Sequence, residues 1–525
     1  MLELNLPERF NAAQYLVDRN VEEGRGERPA IFFEDQTYNY HQVLENVNKS
    51  ANMLNDLGVE MENRVMLLVR DSPEMIFSFF GAIKLGAVPI PTNMLMKSQD
   101  FLHVLNDSRA RVLIVDSVFL PEIDKILDQA AFCKNIVVLG GEDHGHLSFD
   151  RLMEHSSDEF EAADTTSDDA AFWLYSGRNP EVLMGAVHHH SHMVYCTEGY
   201  AKGILNMTEE DRVLGSFLFF AYGLGNSVYF PFAVGGSTVL INHRPTPDLM
   251  YEDLIRYRPT LFFTVPTLLS ALADYRKTCR GEGRDLPPVD SLRACISSAE
   301  ILSTEVYHRF KEEFGIEVLD GTGSTEICHI FLSNRFGRVK PGSTGKAVPG
   351  YSTRLLDEDG LPVTRGEIGH LLVSGGSIAS AYWNMREETK KNMLGEWFVT
   401  GDRYLEDEEG FYYFRGRSDD MLRVGGKWLA PQEVENALNQ HPAVAESAVV
   451  GRQDKDDLVK PYAFVVLRSG HSPSEQLEKE IKEFVKEKIA MYKYPRWVDF
   501  TEALPKTSGG KVQRFVLQER VNESD

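Results

Sequence analysis

Cysteine is scarce in this sequence, and its spacing excludes whole classes of protein. The 525 residues contain five cysteines, Cys133, Cys196, Cys279, Cys295 and Cys328, and no C-x-x-C pair. An odd number of scattered cysteines fits a reducing compartment better than a disulfide framework. We therefore expect all five to be buried thiols.

Long apolar runs are also missing. No uncharged apolar stretch approaches the ~20 residues that a membrane-spanning helix needs. The N-terminus, MLELNLPERFNAAQYL, carries acidic residues and lacks both the apolar segment and the cleavage site of a signal peptide. The sequence thus predicts a cytoplasmic protein without membrane insertion.

Basic residues are outnumbered, with 55 Lys and Arg against 79 Asp and Glu, so the formal net charge is −24. Such a charge opposes binding to nucleic acid or to an anionic membrane surface. The composition, 42% hydrophobic and 26% charged, is typical of a globular protein, and the length favours roughly two to four structural units. We expect small molecules as partners.

Alternating apolar runs and helical patterns indicate an α/β fold. Strand-like runs at 64–69, 111–115 and 135–139 are separated by helical patterns such as 73–85, and the same alternation recurs over 211–294. Strands that alternate with helices form parallel sheets covered on both faces. We predict an N-terminal body of two sheets with flanking helices and a small β part.

The pattern changes after Arg417, where strands at 445–451 and 461–467 accompany one charged amphipathic helix. Ser472 is predicted to cap this helix, with Pro473 at its first position. We therefore divide the chain into a nucleotide- and acid-binding body, 1–417, and a small mobile α+β domain, 418–525.

The first run that suggests chemistry is 320–326 (DGTGSTE). Glycines beside hydroxyl residues let backbone N–H groups approach an anion, and the Glu326 carboxylate could hold Mg²⁺. The alternative is a glycine-rich turn without a ligand.

In a second run, 397–402 (WFVTGD), Asp402 could accept hydrogen bonds from two ribose hydroxyls or lie in an ordinary turn at a strand end.

Two further runs lie nearer the C-terminus. Residues 416–427 (GRSDDMLRVGGK) contain a Gly-Gly pair, and 504–514 (LPKTSGGKVQR) form a loop that presents Lys511. Alone, the last run would be a basic turn. In this order, the four runs together resemble the adenylate-forming superfamily, which contains acyl-CoA synthetases, peptide-synthetase adenylation domains and firefly luciferase.

Within that superfamily, essentially the whole chain is similar to benzoate-CoA ligases and related aryl-CoA ligases. The resemblance is carried by FFAYGLGNSVYFPFAVGG, DGTGSTEICHIFLSNR, GRSDDMLRVGG and LPKTSGGKVQRF. It implies that a carboxylate first joins AMP with release of pyrophosphate, and that the acyl group then passes to coenzyme A. The implied cofactors are ATP, Mg²⁺ and coenzyme A. The implied substrate is an aromatic or alicyclic acid, as in aromatic compound degradation, and a homodimer is left open.

The resemblance also implies roles for individual residues of the nucleotide site. Lys511 would bridge the α-phosphate and the attacking carboxylate, Thr325 would contact the α-phosphate, and Glu326 would hold Mg²⁺. Asp402 would bind the ribose. Further nucleotide contacts are implied for Gly321, Thr322, Gly323, Ser324, Ser298, Ala299, Glu300 and Arg417.

The small domain and the acid pocket follow from the same resemblance. Asp419 matches the hinge, and Gly425 and Gly426 would line the pantetheine tunnel, unless they form only a hairpin turn. His329 would orient the carboxylate by a hydrogen bond or a positive charge, or it is a core residue. The residues implied for the pocket are Ala221, Tyr222, Gly223, Gly323, His329 and Ile330.

One motif departs from the family. Where the family has the phosphate-binding loop Y-S-S-G-S-T-G-x-P-K-G, residues 175–185 read YSGRNPEVLMG. Pro180 removes a backbone donor, Glu181 adds a carboxylate where phosphate oxygens should lie, and Met184 replaces the lysine. Arg178 could compensate in part.

These departures leave two function hypotheses. The first is a competent aryl- or alicyclic-acid:CoA ligase. The alternative is an impaired homologue that binds acyl-AMP, AMP or acyl-CoA without efficient use of ATP. A second departure, Ala299 in place of a family glycine, adds a methyl group near the adenine. We do not expect the histidines at 188–192 to bind a metal, because the matching family stretch binds none.

Overall fold

The structure is a computed structural model that describes residues 2–141, 145–179, 182–215, 222–418, 420, 422–424, 427–454, 458–506 and 512–523. The chain forms two compact units. One comprises Met1–Thr353 and Val373–Val399, and the other comprises Arg354–Leu372 and Thr400–Asp525. The domain boundary after residue 417 stays a prediction.

The first unit contains a nine-stranded sheet. Its strands lie in the order Lys346–Ala347, Ile330–Ser333, Val318–Gly323, Ala294–Ser297, Leu261–Thr264, Arg212–Gly215, Ser237–Leu240, Pro29–Phe33 and Gln36–Asn39. The inner pairs are parallel, and the pairs at both edges are antiparallel. The helices Pro247–Tyr257, Pro266–Gly281 and Thr304–Phe314 follow its strands and bury their apolar faces in one core.

A second sheet in the same unit is entirely parallel. Its strands are Val88–Pro91, Arg64–Leu68, Val112–Asp116, Asn135–Leu139 and Leu147–Ser148. The accompanying helices are Tyr40–Asp56, Pro73–Lys84, Ser98–Ser108 and Phe149–His155. The first of them starts at a capping box formed by Asn39 and Gln42, which satisfies two backbone N–H groups at its N-terminus. The predicted alternation of strands and helices is confirmed.

A separate strand pair, Ala170–Asn179 with Val182–His189, leads directly into the helix His190–Cys196. We call these two strands the phosphate-loop hairpin, because residues 175–185 belong to it. Further short α-helices in the described part of this unit are Arg19–Glu22, Leu120–Ile123, Tyr222–Leu224, Phe230–Val234 and Arg386–Asn392.

A smaller sheet has the order Ser352–Leu356, Ile368–Ser374, Trp397–Glu406 and Met393–Leu394, and Tyr412–Arg417 pairs with Trp397–Glu406. The C-terminal part contains the antiparallel pair Leu422–Val424 and Lys427–Leu429, and a three-stranded sheet of Val444–Gln453, Val459–Leu467 and Trp497–Phe500. Its helices are Pro431–Leu438, Glu475–Lys488 and Arg514–Glu523. The predicted α/β class and small α+β part are confirmed.

Two expectations about local structure are wrong in detail. The charged helix is capped by Ser474, whose hydroxyl accepts a hydrogen bond from the N–H of Leu477, so it begins two residues after the predicted Pro473. Four cysteines are buried, but Cys133 is half-buried. No helix among the described residues is both long and apolar enough to cross a bilayer.

Candidate active site

Two neighbouring parallel strands of the large sheet bring the predicted nucleotide residues together. Ser297, at the end of one strand, is paired with Asp320 in the next, so residues 298–300 and 324–326 follow the carboxyl ends of two neighbouring strands. Ligands of open α/β sheets bind beyond the carboxyl ends of the strands. The position of both segments is therefore that of a ligand site.

The glycines of the DGTGSTE run do not form a turn. Gly321 and Gly323 lie in the strand Val318–Gly323, which pairs antiparallel with Ile330–Ser333. A Cβ at Gly321 would lie 2.9 Å from the Leu332 carbonyl oxygen, and one at Gly323 would lie 2.6 Å from that of His329. Glycine is thus required here because two backbones approach closely, and the alternative of a glycine-rich turn is wrong.

The turn that follows, Thr325–Ile327, is fixed from several sides. The Thr325 carbonyl oxygen accepts a hydrogen bond from His188 Nε2 at 2.8 Å. The backbone N–H of Ala379 donates to the Glu326 carbonyl oxygen at 2.7 Å, and the Tyr382 hydroxyl donates to Glu326 Oε1 at 2.8 Å. The Glu326 side chain is consequently buried and held in one orientation.

His188 comes from the last strand of the phosphate-loop hairpin. Its ring stacks on Phe172, and burial lowers its pKa to about 4, so the imidazole is neutral near pH 7. Because a carbonyl oxygen only accepts, Nε2 carries the proton, and Nδ1 lies 3.0 Å from His192 Nδ1. These bonds occupy ring nitrogens that a metal ion would need.

The second departure from the family pattern occupies a strained position. Ala299 has a φ of +71°, in the left-handed region that glycine adopts without cost. Its neighbour Ser298 is buried, and the Glu300 carboxylate accepts a hydrogen bond from Thr267 Oγ1 at 2.6 Å. The methyl group of Ala299 therefore costs backbone energy at this site.

His329 lies in an aromatic environment. Its ring stacks on Tyr222 with 5.2 Å between centroids and meets Phe230 at 4.5 Å, while Nε2 lies 2.9 Å from Asn226 Oδ1. Burial lowers the pKa of His329 to about 3, which favours a neutral imidazole near pH 7 and the hydrogen-bonding alternative over a positive charge.

Other residues predicted for the acid pocket lie beside His329. Ile330 follows His329 in the sequence and is fully buried. Gly323 packs against the carbonyl group of His329. Gly223 is buried in the short helix that begins at Tyr222. Ala221 lies outside the described residues. The structure thus brings Tyr222, His329 and Gly323 to one place.

In the second unit, Asp402 and Arg417 face each other on neighbouring antiparallel strands. Arg417 Nη1 donates to Asp402 Oδ1 at 3.0 Å and to the Thr400 carbonyl oxygen at 3.2 Å. Asp402 lies inside the strand Trp397–Glu406, so the alternative of a turn at a strand end is wrong. The two predicted nucleotide contacts form one ion pair.

The predictions for Lys511, Asp419, Gly425 and Gly426 fall outside the described residues. The chain around the lysine loop is well anchored, since Lys506 and Val512 form a backbone bridge. Next to it, Arg514 Nη2 donates to both carboxylate oxygens of the buried Glu435, at 2.8 and 2.7 Å, and Nη1 donates to Asp420 Oδ2 at 3.4 Å.

The described part of the altered phosphate loop is packed rather than open. The Tyr175 hydroxyl donates to Asp107 Oδ2 at 2.7 Å. Met184, which replaces the family lysine, is buried in a small apolar cluster with Ala186, Ala379 and Tyr382. Pro180, Glu181 and the Arg178 side chain lie outside the described residues.

Three residues with evident roles were not predicted from the sequence. His188 and Tyr382 hold the Thr325–Ile327 turn, and Asn226 contacts His329. Each is distant in sequence from the residue it contacts, so no local motif signals the pairing. The run of histidines at 188–192 is a sequence signal near His188, but it suggests a metal site rather than a contact with Thr325.

Comparisons with known proteins agree with this geometry. The family model "AMP-binding enzyme" matches residues 17–383, and "AMP-binding enzyme C-terminal domain" matches residues 433–511. The chain is 45% identical to the benzoate–CoA ligase of Thauera aromatica, over 98% of this chain and 97% of the relative. It is 40% identical to the 4-hydroxybenzoate–CoA/benzoate–CoA ligase of Rhodopseudomonas palustris, over 97% and 94%.

Solved structures give the same result. The anthranilate CoA ligase AuaEII in complex with anthranoyl-AMP superposes with a TM-score of 0.92 at 38% identity, over 99% of both chains. The benzoate CoA ligase of Burkholderia xenovorans LB400 superposes with a TM-score of 0.87 at 40% identity, over 97% of this chain and 99% of that one. The chain belongs to the AMP-binding enzyme family, the adenylate-forming superfamily that its four sequence runs resemble.

Proposed function

We propose that this chain is an AMP-forming ligase that joins an aromatic or alicyclic carboxylate to coenzyme A. The observation that carries the proposal is the buried, fixed turn of Thr325 and Glu326 beside the aromatic surroundings of His329. Full-length similarity to two ligases that act on benzoate supports it. That similarity favours the active enzyme over an impaired homologue.

In the first half-reaction, a carboxylate oxygen attacks the α-phosphorus of ATP and pyrophosphate leaves. Thr325 would contact the α-phosphate, and Asp402 would accept hydrogen bonds from the ribose. The ammonium group of Lys511 would stabilise the negative charge that develops in the transition state. The position of Thr325 is fixed, because the buried imidazole of His188 donates a hydrogen bond to its carbonyl oxygen.

Glu326 is the residue that would hold Mg²⁺. A buried carboxylate supplies the hard oxygen ligand that this ion prefers, and the hydrogen bond recorded for the group uses Oε1, so the donor set fits. When bound, Mg²⁺ would neutralise charge on the phosphate oxygens.

We extend the proposal to a cytoplasmic location, and a homodimer is the oligomeric state to test first.

In the second half-reaction, the thiol of coenzyme A attacks the acyl carbon, the thioester bond forms and AMP leaves. The acyl-AMP intermediate carries no β- or γ-phosphate, so the altered residues 176–184 bear on the first half-reaction and spare the second. The Gly425–Gly426 pair would let the thiol approach the adenylate, in keeping with the predicted tunnel.

The acid pocket favours a flat ring. The ring of Tyr222 would form one wall of the pocket beside a neutral His329. Gly223 and Gly323 have no side chains and would leave room for the substrate ring. No pocket residue that the sequence predicts is an obvious partner for a ring hydroxyl, which favours benzoate or a cyclohexene carboxylate over a hydroxybenzoate. The relatives named above act on benzoate, 4-hydroxybenzoate or anthranilate according to their descriptions.

The deciding experiment measures AMP formation from ATP and coenzyme A with benzoate, cyclohexene carboxylate and short fatty acids, together with the reverse reaction from acyl-CoA, AMP and pyrophosphate. We expect turnover with the ring acids. Absence of turnover in both directions, with nucleotide still bound, would instead support the impaired homologue.

The role of Lys511 has its own test. We expect Lys511→Ala to abolish adenylation, measured as exchange of labelled pyrophosphate into ATP. Lys506→Ala is the matched control, because Lys506 lies in the same segment but is paired with Glu446 on the surface. Retained exchange in the Lys511 variant would overturn the assignment.

A further inference from the structure

One oxygen of the Glu326 carboxylate has a buried hydrogen-bond partner. Oε1 accepts a hydrogen bond of 2.8 Å from the Tyr382 hydroxyl, a residue 56 positions further along the chain. Tyr382 is itself almost completely buried, with 2% of its surface exposed. A buried donor on Oε1 therefore constrains how the carboxylate is turned.

The phenol of Tyr382 is held in place by its own surroundings. Its backbone N–H donates to Thr389 Oγ1 at 3.0 Å, and its ring packs with Met184, Ala186 and Ala379. A buried ring in close contact has no room to leave its rotamer without creating a cavity. The orientation of the hydroxyl thus depends on a packed cluster that includes the residue replacing the family lysine.

We propose that Tyr382 is a positioning residue for the metal-binding carboxylate: by donating to Oε1, its hydroxyl fixes the orientation in which Glu326 would hold Mg²⁺. This inference rests on the proposed function, in which Glu326 holds the metal. Groups that hydrogen-bond a ligating carboxylate orient it, and their loss typically costs about 10- to 100-fold in metal affinity. Mg²⁺ demands strict geometry, so a carboxylate free to rotate would bind it less well.

Met184 gains a function in this arrangement. Its side chain forms part of the apolar wall behind the Tyr382 ring. The substitution that removes a lysine from the phosphate loop therefore also helps to fix the hydroxyl that orients Glu326.

The test compares Tyr382→Phe with Tyr40→Phe. Tyr40 is an equally buried tyrosine whose hydroxyl donates to the Gly236 carbonyl oxygen at 2.7 Å, far from Glu326 in sequence and contacts. The probe is Mn²⁺, titrated in the presence of the non-hydrolysable analogue α,β-methylene-ATP, with free Mn²⁺ followed by electron paramagnetic resonance. We expect about 10- to 100-fold weaker Mn²⁺ binding in Tyr382→Phe and unchanged binding in Tyr40→Phe.

A second measurement separates positioning from general damage. The Mg²⁺ concentration that gives half-maximal pyrophosphate exchange should rise in Tyr382→Phe by the same factor, and the rate should recover at saturating Mg²⁺. Both variants should unfold at similar temperatures, since each loses one buried hydroxyl.

Glu326→Gln distinguishes the two ways to fail. If it binds Mn²⁺ as tightly as the parent enzyme, the metal role of Glu326 in the proposed function is wrong. If it loses Mn²⁺ while Tyr382→Phe binds Mn²⁺ normally, the proposed function stands and the positioning role of Tyr382 is overturned.

Discussion

The phosphate-loop hairpin has two ends that differ in their relation to the family pattern. At one end His188 donates to the Thr325 carbonyl and stacks on Phe172. Toward the other end the sequence departs from the family, and Met184 lies in an apolar cluster where a lysine would stand. The same pair of strands therefore supports the Thr325–Ile327 turn at one end and has lost a phosphate-binding charge at the other.

This difference shows that a site can keep its framework while its electrostatics change. The contacts around Glu326 depend on backbone carbonyls, a phenol and an imidazole, none of which requires the lysine. What we expect to change is the handling of the β- and γ-phosphates, which only the proposed first half-reaction would involve. Substitutions at Met184 and His188 test this separation, and the titration of the buried histidines and the strain at Ala299 test the framework itself.

Restoring the family lysine with Met184→Lys should damage the fold rather than improve activity. Met184 is 2% exposed, and an ammonium group placed in its apolar cluster would be desolvated. We expect the free energy of unfolding to fall by roughly 3 kcal/mol or more, measured by urea denaturation. Met184→Leu, which conserves volume, should cost less than about 1.5 kcal/mol. Faster pyrophosphate exchange at unchanged stability would show that a side chain at 184 can reach the nucleotide.

At the other end, His188→Phe should impair adenylation. The phenyl ring can keep the stacking on Phe172, but the Thr325 carbonyl loses its nearest donor. A small misplacement of a catalytic contact can cost up to about 100-fold, so we expect pyrophosphate exchange to slow about 10- to 100-fold. His190→Phe is the control, because His190 is as deeply buried but accepts from the Ala12 N–H. An equal loss in both variants would indicate general destabilisation.

The buried histidines should make the fold sensitive to mild acid. Burial lowers the pKa of both His188 and His190 to about 4, whereas an unfolded histidine titrates near 6.5. Below pH 6.5 the unfolded chain takes up protons that the folded chain does not, so the free energy of unfolding falls towards pH 4. Each histidine contributes about 2 kcal/mol to the loss at pH 5.

Urea denaturation at pH 7 and pH 5 measures this loss. His190→Phe removes one of these titrating sites and should lose about 2 kcal/mol less stability between the two pH values. The negative charge of Asp169 favours protonated His190 and so raises its pKa, which makes the loss of stability at pH 5 smaller. A variant with the same pH dependence as the parent would refute the assignment.

The smallest expected effect concerns the second departure from the family. Ala299→Gly should stabilise the fold by about 1 kcal/mol, because alanine pays a steric cost at a φ of +71° that glycine does not. Ala273→Gly, in the helix Pro266–Gly281, is the matched control and should be destabilising by about 1 kcal/mol. Thermal or urea unfolding distinguishes the two signs. If both variants are destabilised, the strain at 299 is absorbed by its neighbours.

Much of the framework could be predicted because it depends on local patterns. The apolar runs that became Arg64–Leu68 and Asn135–Leu139 are bounded by helical patterns, and both lie in a parallel sheet as expected. The Thr325–Glu326 position also follows from the sequence, since a family motif marks it.

Other features depend on partners far along the chain. Nothing near Gly321 indicates a strand, because its pairing is with residues that follow the turn. Tyr382 and Glu326 are 56 residues apart, and Asn226 and His329 are 103 apart. The N-cap at Ser474 was missed because Ser472 before a proline satisfies the same local rule, so the sequence alone does not separate the two starts.

The buried ion pair of Glu435 and Arg514 constrains how the C-terminal part can turn. Separating the pair would leave a charge in the interior, at a cost of several kcal/mol, so the helices that carry these residues must travel together with the base of the lysine loop. Asp420 belongs to the same assembly through Arg514, while Arg417 is tied to Asp402. If residues 418–525 turn as the resemblance implies, Glu435, Arg514 and Asp420 would therefore move as one group.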